Sequence, residues 1–369
     1  MDFDLTDEQR MLGDSVTRFV AERYDFESRA HLLRSETGWS REIWREMADL
    51  GLLGLAFAEQ DGGFGAGGVE TMMVMEALGR GLVLEPYLST IVLGGGVLRH
   101  GGTPAQRSER IPAIVSGEWL LALAHHEPKG PRFSLGAATR AERTAAGWRI
   151  EGRKVAVVHG ADADELIVSA ITDEGLKLFL VPAAMVERDR RVGYDGVPLA
   201  DVALNGVELG ADAVVGDGAT LARVIEEANA ALVAEAVGIM ADTLDRTTEY
   251  LKTRVQFGVS IGSFQALQHR AVDMLIQLEL ARSMSILAAL SLDQPVETRR
   301  RNIAAAKVQI GRSGRIVGQQ AVQLHGAIGI TAEYKVGHAF KRLTAIDAAF
   351  GDADWQIDML AEAGGLTPA

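Results

Sequence analysis

WRIEGRKVAVVHGADADELIVSA, residues 148–170, holds two short apolar-rich runs, WRIEG (148–152) and ELIVSA (165–170), with Gly and Asp between them. Two more of the same kind follow, LKLFLV (176–181) and ADVALNGVEL (200–209), again bounded by Gly, Asp and Pro. Short runs punctuated by turn formers read as strands. Spaced this closely, they leave no room for the crossover helices of a parallel sheet. Residues 119–216 are therefore expected to form an antiparallel barrel or sandwich of about six to eight strands.

On both sides of this segment the text is helical. Before it, Thr6 followed by Glu8 and Gln9 has the form of a capped helix start, and Ile43, Met47 and Leu50 recur at helical spacing. AEQDGGFGAGG (58–68) is too rich in glycine for helix and fits a loop that approaches something closely, and LGGGVLRHGG (93–102) packs or turns. After it, Asp217 stands as an N-cap ahead of Leu221, Val224, Ala228, Leu232 and Val233, which share one side of a helix. Long segments at about 264–292 and 296–323, the second opened by Pro295, imply a helix bundle. The fold class expected is mainly α with a β insert: an N-terminal helical domain (1–118), a middle β-barrel (119–216) and a C-terminal four-helix bundle (217–369). No internal repeat interrupts this order.

Composition narrows the function. Of 369 residues, 47% are hydrophobic and 24% charged, enough apolar material for two or three cores. The chain has no cysteine, which excludes disulfides, thiolate nucleophiles and cysteine-ligated metals. A net charge of −13 disfavours nucleic acid and anionic membranes, and the basic run Arg299–Arg301 reads as a solvated helix face. No uninterrupted apolar run of membrane-spanning length occurs, and MDFDLTDEQR lacks the basic and apolar regions of a signal peptide, so a cytoplasmic location is expected. His125 and His126 are adjacent, which in a strand points them to opposite faces, and no carboxylate follows at ligand spacing; no metal site is expected.

IWREMADLGLLGLAFAEQDGG (43–63), HHEPKG (125–130), the 148–170 stretch, RVQFGVSIGSFQALQHRAVDM (254–274) and QLHGAIGIT (323–331) together resemble the acyl-CoA dehydrogenase family, in order and over nearly the whole chain. The resemblance implies FAD as cofactor and an acyl-CoA thioester as substrate, in the β-oxidation of fatty-acid or steroid side chains. A glutamate takes the α proton and the flavin accepts the β hydride. It further implies a homo- or heterotetramer built through the bundle, and an electron-transferring flavoprotein as acceptor. Arg254, Phe257 and Gln265, then Gln323, Leu324, His325, Gly326 and Ala327, match the segments that in the family meet the FAD of a neighbouring subunit. Arg254 supplies paired planar donors suited to a pyrophosphate. Ala327 stands where a second glycine is usual.

The chain departs from the family where a subunit holds its own flavin. His126 replaces the threonine ahead of Glu127-Pro128, and Ala156 and Val158 stand where a stacking tryptophan and a bonding threonine are expected. The catalytic glutamate is missing in both family positions. After Phe350 the matching residue is Gly351, and on the helix before RVQFG it is Ala228, followed by Asn229. Asp352 and Glu227 lie one residue off, and on a helix one residue is a rotation of about 100°. Asp352 and Asp354 also suit a cap on the helix that follows. Three functions stay open at this level: a base-lacking subunit of a heteromeric dehydrogenase, a self-sufficient homotetramer using Asp352 or Glu227, and a cofactor-free scaffold of this fold.

Overall fold

The computed structural model describes residues 5–128, 135–362 and 364–365, so Lys129 and Gly130 of the 125–130 motif lie outside the described residues. In chain order it begins with helices α1 (Asp7–Arg23), α2 (Phe26–Leu32), α3 (Arg41–Asp49), α4 (Gly68–Gly81), α5 (Gly95–Gly101) and α6 (Pro104–Val115). Strands β1 (Leu121–Ala124), β2 (Arg140–Thr144), β3 (Gly147–Val158), β4 (Glu165–Thr172), β5 (Gly175–Pro182), β6 (Glu187–Val192), β7 (Pro198–Gly210) and β8 (Val214–Asp217) follow. Helix α7 (Gly218–Thr253) leads into a hairpin, β9 (Val255–Gln256) and β10 (Val259–Ser260). The chain ends in α8 (Gln265–Ser291), α9 (Val296–His325), α10 (Lys335–Ala348) and α11 (Ala353–Glu362).

Helix starts fall where side-chain acceptors are available. Thr6 and Gln9 form a reciprocal capping box on α1. Asp217 Oδ1 accepts from the amides of Ala219 and Thr220, each at 3.0 Å, at the head of the 36-residue α7. At 1.5 Å per residue that helix runs about 54 Å.

By contacts the chain forms two compact units, one of residues 1–30, 68–83 and 229–369, the other of residues 31–67 and 84–228. In the second, the strands form one eight-stranded sheet in the order β6-β7-β3-β2-β4-β5-β8, with β1 paired to β4. Most pairs are antiparallel, but β1 runs parallel to β4, Leu121 facing Glu165 and Ala124 facing Val168. The sheet is thus mainly antiparallel, as expected, with two parallel pairings, β1 with β4 and β2 with β4. The β2–β3 hairpin intervenes between β1 and β4, so the chain returns beside β1 in the same direction. Trp148 and Phe179 meet edge to face at 5.2 Å in the core of this sheet.

The first unit is helical. α4 and α7 approach closely through glycines: a Cβ on Gly79 would lie 2.1 Å from the Glu235 carbonyl, and one on Gly238 1.9 Å from that of Glu76. α8 and α10 pack along α9, and α11, a short fifth helix of the C-terminal segment, also lies against it. α8 is long and apolar enough, by length and a mean hydropathy of 1.3 over an 18-residue window, to cross a membrane. Its apolarity serves two faces. Met274, Leu278, Ala281 and Ala288 are buried, while Val272, Leu275, Ile276 and Leu280 are exposed.

Candidate functional site

Glu227 lies in the seventh helix with both carboxylate oxygens taken. Oε2 accepts from Arg99 at 2.7 Å, and Oε1 is bonded to His100 at 2.7 Å and to Arg223 at 3.0 Å. The carboxylate is 7% exposed. Burial alone would raise its pKa, but the bond to His100 and the charges of Arg99 and Arg223 outweigh it and hold it at about 2. A general base needs a free lone pair and a pKa near the working pH. Glu227 has neither.

The tail turn carries the other candidate. Phe350 and Gly351 adopt φ of +51° and +105°. The Phe350 carbonyl accepts from the Gln356 amide at 3.3 Å and the Asn229 amide at 3.4 Å. A Cβ built on Gly351 would meet the Trp355 ring at 2.4 Å and the Gln356 amide nitrogen at 2.7 Å. A side chain at position 351 would therefore collide with these two side chains. Asp352 turns the other way along the chain: its Oδ1 accepts from the Trp355 amide at 2.9 Å and caps α11. Asp354 lies in the first turn of that helix, where the dipole favours a carboxylate.

In the sheet unit, next to His126 and Ala156, lies a buried ion pair. Lys154, fully buried on β3, donates to Glu127 at 2.6 Å, to Ser169 Oγ at 3.0 Å and to the His125 carbonyl. Glu127 also accepts from the Thr139 amide at 2.9 Å. Burial pushes the lysine's pKa down and Glu127 pulls it back up. His125 is bonded to Ser169 at 2.8 Å, and burial together with Lys154 lowers the pKa of His126. Ala156 follows in a left-handed conformation, φ +52°, with a methyl group and no ring.

The residues expected to face a neighbour's cofactor lie in the helical unit. β9 and β10 form a two-residue hairpin whose tip, Phe257 and Gly258, has φ of +55° and +80°. Phe257 is 91% exposed and touches Phe264 edge-on at 6.3 Å. Arg254, at the base of the hairpin, and Gln265, the first residue of α8, are both exposed. At the end of α9, Gln323, Gly326 and Ala327 are exposed, and a Cβ on Gly326 would meet nothing within 4 Å, so the backbone there is open to a ligand. Leu324 and His325 turn inward. The His325 ring stacks on Tyr250 at 4.4 Å and its Nδ1 is bonded to the Ala321 carbonyl, so these two can offer a ligand backbone alone.

The model of the acyl-CoA dehydrogenase N-terminal domain matches residues 6–118, and that of the C-terminal domain matches residues 216–365. The acyl-CoA dehydrogenase FadE27 of Mycobacterium tuberculosis is 30% identical over the full length of both chains. The chain belongs to the acyl-CoA dehydrogenase family. Its fold is similar to that of the ChsE4-ChsE5 complex from Mycobacterium tuberculosis, with a TM-score of 0.93, 29% identity and full coverage of both chains. A variant of the Tcur3481-Tcur3483 steroid ACAD is similar over 97% of each chain, with a TM-score of 0.87 and 28% identity.

Among acyl-CoA dehydrogenases this chain carries features the sequence alone did not bring forward. Arg223 lies one helical turn before Glu227 and was legible as an i,i+4 pair. Arg99 and His100 reach the same carboxylate from 128 and 127 residues away, with no local signal. Trp355 and Gln356 read as ordinary residues of an amphipathic helix. That they pack against Gly351 depends on the positive φ at Phe350 and Gly351, which spacing does not reveal.

Proposed function

We propose that this chain is the base-lacking subunit of a heteromeric acyl-CoA dehydrogenase, completing the FAD site of an unlike, homologous partner that supplies the glutamate. The observation that carries this reading is the tail turn, where Trp355 and Gln356 occupy the space a glutamate side chain would need at residue 351. The cofactor is FAD, as in solved members of the fold. When bound it takes the β hydride of an acyl-CoA.

The residues of this chain fit a contributing role. Arg254 and Gln265 supply donors, the 326–327 backbone is open, and Phe257 extends from its hairpin. Similarity to a complex of two differently named chains and to a steroid ACAD supports an unlike partner and a bulky acyl group such as a steroid side-chain CoA ester. An electron-transferring flavoprotein in the cytoplasm completes the proposed path. The engaged state of Glu227 and the capping bond of Asp352 speak against a self-sufficient homotetramer.

Co-expression with a glutamate-bearing homologue tests the reading. The expected product is a mixed oligomer with about half an FAD per chain. Arg254→Ala in this chain should lower the mixed oligomer's affinity for FAD by about tenfold, the worth of one charge-assisted contact. Substrate-dependent flavin bleaching by this chain alone, abolished by Asp352→Asn or Glu227→Gln, would overturn it.

A further inference from the structure

A cavity of about 540 Å³ opens between the first, fourth and eighth helices. That is within the range of about 300–1,000 Å³ found for small-molecule sites. Met72 and Met73 from α4 and Ile286 and Leu290 from α8 give it apolar walls. Methionines suit ligands of variable shape because their side chains are unbranched and polarizable.

One polar group in the wall is unsatisfied. Ser285 lines the cavity, is 2% exposed, and its hydroxyl has no hydrogen-bond partner among the described residues. Serines in helices commonly bond back to the carbonyl four residues earlier. Two others on α8 do: Ser283 bonds to the Glu279 carbonyl at 3.0 Å and Ser291 to that of Leu287 at 2.6 Å. Ser285 does not, which leaves a donor and an acceptor available at the cavity. Native proteins keep few such groups without a reason.

The charged residues around the cavity set the ligand's charge. Glu76 lines it, and burial raises the pKa of its carboxyl against the opposing pull of Arg282 and Arg80. Arg80 is bonded to Asp245 at 3.3 Å and Arg282 to Glu279 at 2.7 Å, so each cation has its own carboxylate. An anionic head would meet Glu76, and a cationic head would meet the two arginines. We propose that this cavity binds an uncharged amphiphile, an alcohol or amide head on Ser285 and an alkyl or ring body along Met72 and Met73.

The test uses the full chain in its purified oligomer and three probes of equal tail length: 1-octanol, octanoate and octylammonium. Calorimetry should show saturable octanol binding at one site per chain, and both charged probes binding at least about tenfold more weakly. Ser285→Ala should weaken octanol binding about fivefold, one neutral hydrogen bond. It should leave the ligand-free melting temperature unchanged or raise it, because the hydroxyl it removes is buried and unpaired. Met73→Trp should block binding by filling the volume. The proposal fails if octanol does not bind saturably, as when assembly seats a partner's side chain in the cavity. It fails equally if a charged probe binds best, or if binding is indifferent to both substitutions. Flavin content is not a readout of this test, so its failure leaves the heteromeric reading standing.

Discussion

Glu227 shows how one carboxylate can be turned from chemistry to structure. Three basic side chains converge on it, and two of them, the arginines, stay charged at any physiological pH. Removing it strands partly buried cations, so Glu227→Gln should cost about 3 kcal/mol of stability. The pH dependence follows from its lowered pKa. A carboxylate held at about 2, against an ordinary 4.5, stabilises the fold fully above the ordinary value and loses that contribution as pH falls from about 5 to about 2. The shift corresponds to about 3 kcal/mol, in line with the cost of deletion. Urea denaturation between pH 7 and pH 3 should show wild type losing stability on acidification, with a shallower slope in Glu227→Gln. Equal slopes would mean that the carboxylate is not held down.

At the scale of elements, the 255–260 hairpin is built for contact rather than for its own stability. A phenylalanine in the left-handed region costs about 1 kcal/mol, and Phe257 recovers little of it by burial, being 91% exposed. Phe257→Gly should therefore leave the melting temperature of the isolated chain unchanged or raise it slightly. The same substitution should weaken FAD retention in the mixed oligomer by about tenfold, read by flavin absorbance after gel filtration. A fall in melting temperature without loss of FAD would assign Phe257 to the fold instead. The aromatic was legible in the sequence; its strain was not, because nothing in RVQFG marks Phe257 rather than Gly258 alone for positive φ. Legibility follows the same line elsewhere. Helices announced themselves through Thr6, Asp217 and Pro295, whose signals lie within a few residues of the element they start. The β1–β4 parallel pair did not, since Leu121 and Glu165 lie 44 positions apart with a hairpin in between. The turn at Gly351 falls between these cases: the glycine after Phe350 was readable, the packing of Trp355 and Gln356 against it was not.

For the whole molecule, the question is what covers the outer face of the eighth helix. Val272, Leu275, Ile276 and Leu280 are between 46% and 53% exposed and recur at helical spacing, and so form a continuous stripe. Contiguous apolar surface of this kind marks an interaction site. The hydropathy that makes this helix pass for a membrane span is then the sum of an inner face packed on α9 and an exposed outer face, which we propose meets another subunit. A net charge of −13 works against self-association at low salt, so apolar burial has to supply the attraction. Ile276→Glu places a carboxylate in the middle of the stripe, where burial without a partner is costly. Sedimentation velocity should show the assembled species dissociating to smaller ones, by a factor of at least about a hundred in affinity. Circular dichroism should be unchanged, because Ile276 is half exposed in the single chain. FAD should be released along with the subunits if Arg254 and Gln323 act across that interface. An oligomer that survives the substitution with its flavin would place the subunit contact on some other face.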